Sequence, residues 1–187
     1  PFATIDLGAA EAGLSGVAFV LPMSANPAAR GGHRVYLRRM LLAEDVDTLL
    51  PEWAFFVRCV VDTSELRPTA SREALYEDDL LADTRDALGA QVRDWLVELA
   101  ATDPTRLLEF LQIHHLGVKS LARHDDAMLR VVDQWWPMET SHGPLTLREF
   151  RSRHAVVRYT ATTDEFRELA AVAGAQGIGL VNGGYAY

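Results

Sequence analysis

Hydrophobic and polar positions change rhythm along this chain, and each change marks a change of structure. Early on, short apolar stretches at Phe2 to Leu7, Gly16 to Leu21 and Arg34 to Leu42 are separated by glycine-bearing breaks, the longest being the loop Pro22 to Gly32. Stretches of this length bounded by turn residues read as three strands of one sheet, with a short helix around Ala9 to Leu14. Asp45 to Leu49 reads as a turn of helix before Pro51, and Phe55 to Val61 as a further, hydrophobic strand. A polar loop then leads to a helix start placed near Ser71. From Asp79 the period is plainly helical: Leu80, Leu81, Thr84, Leu88, Val92, Trp95, Leu96 and Leu99 share one face through Ala101, which predicts a long helix packed on the sheet.

Asp103 followed by Pro104 is a cap and first-position pair that opens a second helix carrying Leu107, Leu108, Leu111 and His115 and stopping near Gly117. A third helix is predicted from His124 to Trp136, ended by Pro137, and a loop from Pro137 to Pro144. Thr146 with Glu149, and Thr162 with Glu165, have capping-box spacing. The second box opens a helix through Ala173 flanked by strands Val156 to Thr160 and Ile178 to Val181, a β-α-β unit with its turn at Gly174 or Gly177. The predicted fold class is α/β in the broad sense (α+β): a mixed β-sheet packed with helices, a three-helix connector, then a smaller βαβ unit. The corresponding divisions are 1–101, 102–144 and 145–187.

Composition narrows the function classes. The 187 residues are 49% hydrophobic and 24% charged, enough for a sizeable core. A formal net charge of −8 argues against a nucleic-acid surface, because phosphate backbones require clustered Lys and Arg. No apolar run is long enough to span a bilayer, and the opening residues lack the pattern of a signal peptide, so neither nucleic acid nor membrane is expected as a partner. The single Cys59 sits in an apolar strand and reads as a core thiol rather than a nucleophile. Adjacent His114 and His115 would point to different sides of a helix, so no metal site is expected. Trp135 and Trp136 are read in the same way as one core ring and one rim ring. No phosphate-cradling glycine motif is present. The absent initiator Met and the abrupt start read as a piece of a longer protein.

Four blocks in register carry a more specific message. Val35-Tyr36-Leu37-Arg38-Arg39, Leu50-Pro51-Glu52-Trp53, Phe56-Val57-Arg58-Cys59-Val60-Val61-Asp62-Thr63 and Ser71-Arg72-Glu73 follow one another in that order. This series resembles the middle domain of the heat-shock protein 90 chaperones, the bacterial HtpG type included, and weaker similarity continues through Leu145 to Phe150. The resemblance implies a fold like the second domain of related GHKL-type ATPases and a cytoplasmic protein. It implies that Arg72 reaches the γ-phosphate of ATP, held with Mg by a separate N-terminal nucleotide domain. A guanidinium fork suits that phosphate. Thr69, Ser71 and Tyr76 are the accompanying loop contacts. The implied partners are that N-terminal domain, a C-terminal dimerisation domain and client proteins; the full-length protein would be a homodimer and this piece a monomer.

Two departures from the family pattern stand out. Arg67-Pro68-Thr69-Ala70 replaces the family's Pro-Leu-Asn and small apolar residue, and Tyr76 stands where the family has a glutamine that contacts the nucleotide domain. A phenol cannot reproduce an amide's paired donor and acceptor, so either docking uses other contacts or turnover is weak. The Pro22 to Gly32 loop carries one large apolar residue, Met23, where the family's longer loop exposes several. An alternative reading therefore keeps the fold without the chemistry, as a protein-interaction scaffold that does not hydrolyse ATP.

Overall fold

The computed structural model describes residues 1–26, 32–71, 73–122 and 125–185, and of residues 116, 120 and 185 the backbone alone. It divides into two compact units, Pro1–Leu121 and Ala122–Tyr187. The division falls inside 102–144, the segment predicted as a helical connector.

In the first unit, β1 (Ala3–Ala9), β2 (Leu14–Val20), β3 (His33–Leu37), β4 (Met40–Val46) and β5 (Val57–Thr63) form a mixed sheet in the order β1-β2-β5-β3-β4. Only the β3–β5 pair is parallel. Alternate residues Ile5 and Leu7 of β1, and Val57, Cys59 and Val61 of β5, turn inward and are buried, which fixes the register because a one-residue slip would expose them. Three expectations are corrected here. Ala9 to Leu14 is no helix: Gly13 N–H donates to the Ala10 carbonyl at 3.0 Å, and the four residues between β1 and β2 are a hairpin turn. Arg34 to Leu42 is two strands, because Arg38 and Arg39, at φ 50° and 69°, reverse the chain between Leu37 and Met40. Asp45 to Leu49 is not helical either, since β4 stays extended to bury Val46 and the next turn of 3-10 helix is Glu52–Ala54.

Helix α1 (Asp79–Thr102) buries Leu81, Thr84, Leu88, Val92, Leu96 and Leu99, much of the predicted face, and runs against β1. Gln91 grips the outer margin of that strand: its Oε1 accepts from Gly8 N–H at 2.9 Å and its Nε2 donates to the Gly8 carbonyl at 2.8 Å. Helix α2 (Pro104–Ala122) begins where predicted, with the Asp103 carboxylate accepting from Arg106 N–H at 3.0 Å. It does not stop at Gly117. A Cβ there would lie 2.6 Å from the Phe56 ring and 2.9 Å from the Trp53 carbonyl, so this glycine serves close approach rather than termination. The helix kinks instead at His114 (φ −118°, ψ 24°), whose ring packs against both Phe56 and Phe110.

In the second unit, α3 (Asp126–Trp135) is capped by Asp125 and followed by β6 (Pro137–Thr140), β7 (Gly143–Thr146), α4 (Leu147–Arg153), β8 (Tyr159–Thr160), α5 (Thr163–Ala175) and β9 (Val181–Asn182). The sheet order is β7-β6-β9-β8, with β8 and β9 parallel across α5, the predicted β-α-β unit. The predicted loop from Pro137 to Pro144 is a β-hairpin. Its prolines mislead because Pro137 is the first residue of its strand and Pro144 lies on an edge strand, the two places where a missing N–H costs no ladder bond. Thr146 and Glu149 form the full reciprocal capping box of α4. Thr162 caps α5, but Glu165 reaches back to the Ala161 amide instead. Helix α5 ends in a Schellman turn, with Ile178 N–H on the Ala173 carbonyl at 2.8 Å and Gly177 at φ 71°. Leu145, Phe150 and Val181 make the core of this unit, with Met138 and Leu147 against it. The architecture is α+β with two mixed sheets.

Candidate functional site

Strand β5 delivers the chain to the candidate loop with its exit fixed. Thr63 Oγ1 donates to the Ala12 carbonyl at 2.6 Å and accepts from Leu66 N–H at 3.4 Å. Leu66 on the outgoing leg and Leu75 on the returning leg are both buried and anchor the loop to the core. Between them runs a short antiparallel ladder. Tyr76 N–H donates to the Arg67 carbonyl at 2.7 Å, Thr69 N–H donates to the Ala74 carbonyl at 2.9 Å, and Pro68 bridges Leu75. The described residues beyond the last rung, Ala70, Ser71 and Glu73, are exposed, as is Ala74 on it. A tip held on such a neck presents side chains to solvent or to a neighbouring domain.

The predicted site residues fare differently. Arg72 lies outside the described residues. Thr69 and Ser71 are brought together, their hydroxyls 3.2 Å apart, with Thr69 Oγ1 also donating to the Ala74 carbonyl at 3.2 Å. Tyr76 sits at the neck rather than the tip, half its surface exposed, with the Arg67 guanidinium 5.0 Å above its ring. The helix predicted to start near Ser71 is overturned, since Ser71 and Glu73 lie in turn and bend and α1 begins only at Asp79. Asp78 is the reason: its Oδ1 accepts from Leu81 N–H at 2.9 Å, satisfying one of the donors a helix start leaves open.

Sequence reasoning passed over Arg67 and Asp78 as site residues. Arg67 Nε and Nη2 both donate to Asp78 Oδ2, at 3.1 and 2.8 Å. The hydrogen bond from Arg67, and after it the backbone bond from Leu81, hold the Asp78 carboxyl below the usual carboxylate range, and Asp78 raises Arg67 in return. An aspartate directly before a helical period is a legible cap signal, but its pairing with a residue across the loop is not. Further along, Arg85 donates to the Thr48 carbonyl at 2.6 Å and pairs with Glu77 at 3.2 Å.

Other candidate chemistry falls away. Burial pushes the Cys59 thiol up to about 12, which keeps it protonated and unreactive at neutral pH. His114 Nε2 lies 2.8 Å from the Leu21 carbonyl, and burial holds its ring below the ordinary histidine range, so the neutral Nε2–H form donates there. Among the described residues, no group of three or more His, Cys, Asp or Glu could hold a metal ion. Trp135 and Trp136 are both half-buried, in place of one core and one rim ring. In the Pro22 to Gly32 loop Met23 is 69% exposed, and 27–31 lie outside the described residues. No described helix is long and apolar enough to cross a membrane.

The family model described as Hsp90 protein matches residues 24–132, more than half of the chain and the whole of the candidate loop. The chain belongs to the Hsp90 family. Among curated Hsp90 relatives, the chaperone protein HtpG of Oleidesulfovibrio alaskensis is 37% identical over 83 residues, covering 44% of this chain and 13% of that protein. HtpG of Chlorobium luteolum is 26% identical over 129 residues, 66% of this chain and 20% of the relative. HtpG of Photorhabdus laumondii is 23% identical over 140 residues, 75% and 22%. The chain thus spans between an eighth and a quarter of the length of these Hsp90 proteins.

Proposed function

We propose that this chain is the middle segment of an ATP-dependent molecular chaperone, and that the loop after β5 is its contribution to ATP hydrolysis. Arg72, carried on that loop, reaches the γ-phosphate of a nucleotide held by a domain N-terminal to this segment. A guanidinium placed there neutralises charge building on the phosphoryl oxygens as the bond to the leaving group breaks, and arginines supplied in this way accelerate phosphoryl transfer by orders of magnitude. Thr69 and Ser71 brace the tip through their shared hydroxyl contact. The observation that carries the reading is the loop itself: a laddered neck with buried Leu66 and Leu75 and an exposed tip, within the stretch matched to the family.

ATP and Mg belong, in this reading, to the N-terminal domain. The segment's partners are that domain, a C-terminal dimerisation domain and client proteins, in a cytoplasmic homodimer. The test is the ATPase of the full-length chaperone with Arg72→Ala. Turnover is expected to fall at least tenfold with nucleotide affinity unchanged, and near-wild-type turnover would remove the catalytic role.

A second reading, a protein-interaction scaffold of the same fold, is favoured by one observation. Tyr76 is engaged by Arg67 at the neck, where the family's glutamine contacts the nucleotide domain. It predicts no ATP turnover in the full-length protein and retained capture of unfolded polypeptides.

A further inference from the structure

We propose that Arg67 is a positioning residue that clamps the neck of the 69–74 loop by bridging Tyr76 and Asp78. The proposal rests on the reading of that loop as the catalytic one and deepens it. Three contacts leave this one residue. Its carbonyl accepts from the Tyr76 amide at 2.7 Å, its guanidinium lies 5.0 Å over the Tyr76 ring, and its Nε and Nη2 share Asp78 Oδ2 at 3.1 and 2.8 Å. The other oxygen of Asp78 is committed to the first turn of α1 through Leu81 N–H. One side chain therefore ties the outgoing leg of the loop to its returning leg and both to the end of a long helix.

The chemistry selects arginine. A planar guanidinium lies over a ring while Nε and Nη2 on its edge converge on one carboxylate oxygen, whereas an ammonium cannot do both at once. Tyr76 then supplies a platform for Arg67 in place of an amide for the neighbouring domain. The Arg67 side chain is 65% exposed, so the clamp adds little to global stability and acts on local geometry. Geometry is what a phosphate-directed arginine requires, since a misplacement of about 1 Å can cost roughly 100-fold in rate.

The test uses the full-length protein. Arg67→Ala is expected to lower kcat for ATP about tenfold with KM within twofold, because Arg67 does not touch nucleotide. Arg67→Lys should recover only a small part of the loss, and Tyr76→Ala should fall with Arg67→Ala. Backbone hydrogen exchange supplies a readout independent of turnover: the amides of Thr69 and Tyr76 should exchange at least tenfold faster in Arg67→Ala, with the body of α1 unchanged. A rise in KM in step with any loss of kcat would make Arg67 a nucleotide ligand and overturn the clamp, as would unaltered exchange at Thr69 and Tyr76. Arg72→Ala in the same assay separates the two claims. Full activity there refutes the catalytic reading of the loop, whereas loss there with normal kcat in Arg67→Ala refutes the clamp alone.

Discussion

Acid should unfold this protein through one histidine in particular. His33 opens β3 with 2% of its surface exposed, and its Nδ1 accepts the Cys59 N–H at 3.1 Å, so the ring must be neutral at that nitrogen. Burial first, and the nearby positive charge of Arg58 second, lower its pKa from 6.5 to about 4, against a smaller opposing pull from Asp45 and Asp47. Between those two values the unfolded chain takes up a proton that the fold refuses. Stability therefore rises with pH across the window from about 4 to 6.5 and is lost as pH falls through it; below about 4 both states are protonated and the effect levels off. At 1.36 kcal/mol per pH unit the loss amounts to about 3 kcal/mol, a large fraction of the 5–15 kcal/mol typical of a domain. The assay is urea unfolding at pH 7.0, 6.0, 5.0 and 4.5 for the wild type and His33→Asn, whose amide oxygen can accept the same N–H without titrating. Other histidines, His114 and His115 among them, contribute a background common to both proteins. The wild type should lose about 2 to 3 kcal/mol more than the variant between pH 7.0 and 4.5. Parallel pH profiles would refute the assignment.

Other perturbations follow from single contacts. Arg39→Gly should leave the β3–β4 hairpin intact and raise stability by about 0.5 kcal/mol, the relief of φ 69° outweighing the added freedom of the unfolded chain; a loss above about 1 kcal/mol in thermal melts would contradict it. Gly117→Ala should destabilise by about 1–3 kcal/mol in urea despite alanine's better helix propensity, because the Phe56 ring and the Trp53 backbone must both move; a stabilised variant would show the packing to be loose. Thr146→Ala should cost about 1 kcal/mol and speed hydrogen exchange in the first turn of α4, and unchanged exchange would count against the capping box.

Where local chemistry decides structure, the sequence was a good guide. Asp103 with Pro104, Thr146 with Glu149, and the face of α1 act within a few residues of themselves; the first two are found as read, and so is much of the third. What escaped depends on partners distant in the chain. Gly117 reads as a stop but answers to Phe56, sixty-one residues earlier. The prolines of the β6–β7 hairpin are tolerated because of which strands they occupy, a property of the assembled sheet. At the loop, the late start of α1 and the Arg67–Tyr76–Asp78 contacts arise from a ladder that closes only in three dimensions.

The grip of Gln91 on Gly8 has a consequence for solubility. An outermost strand whose N–H and C=O point to water can recruit a like segment from another molecule and grow by edge-to-edge addition. Here both groups of Gly8 are already occupied by a carboxamide that imitates the peptide bond of a neighbouring strand. A would-be intruder must first evict it, so a helix on the same chain acts as the doorstop against self-association at that margin.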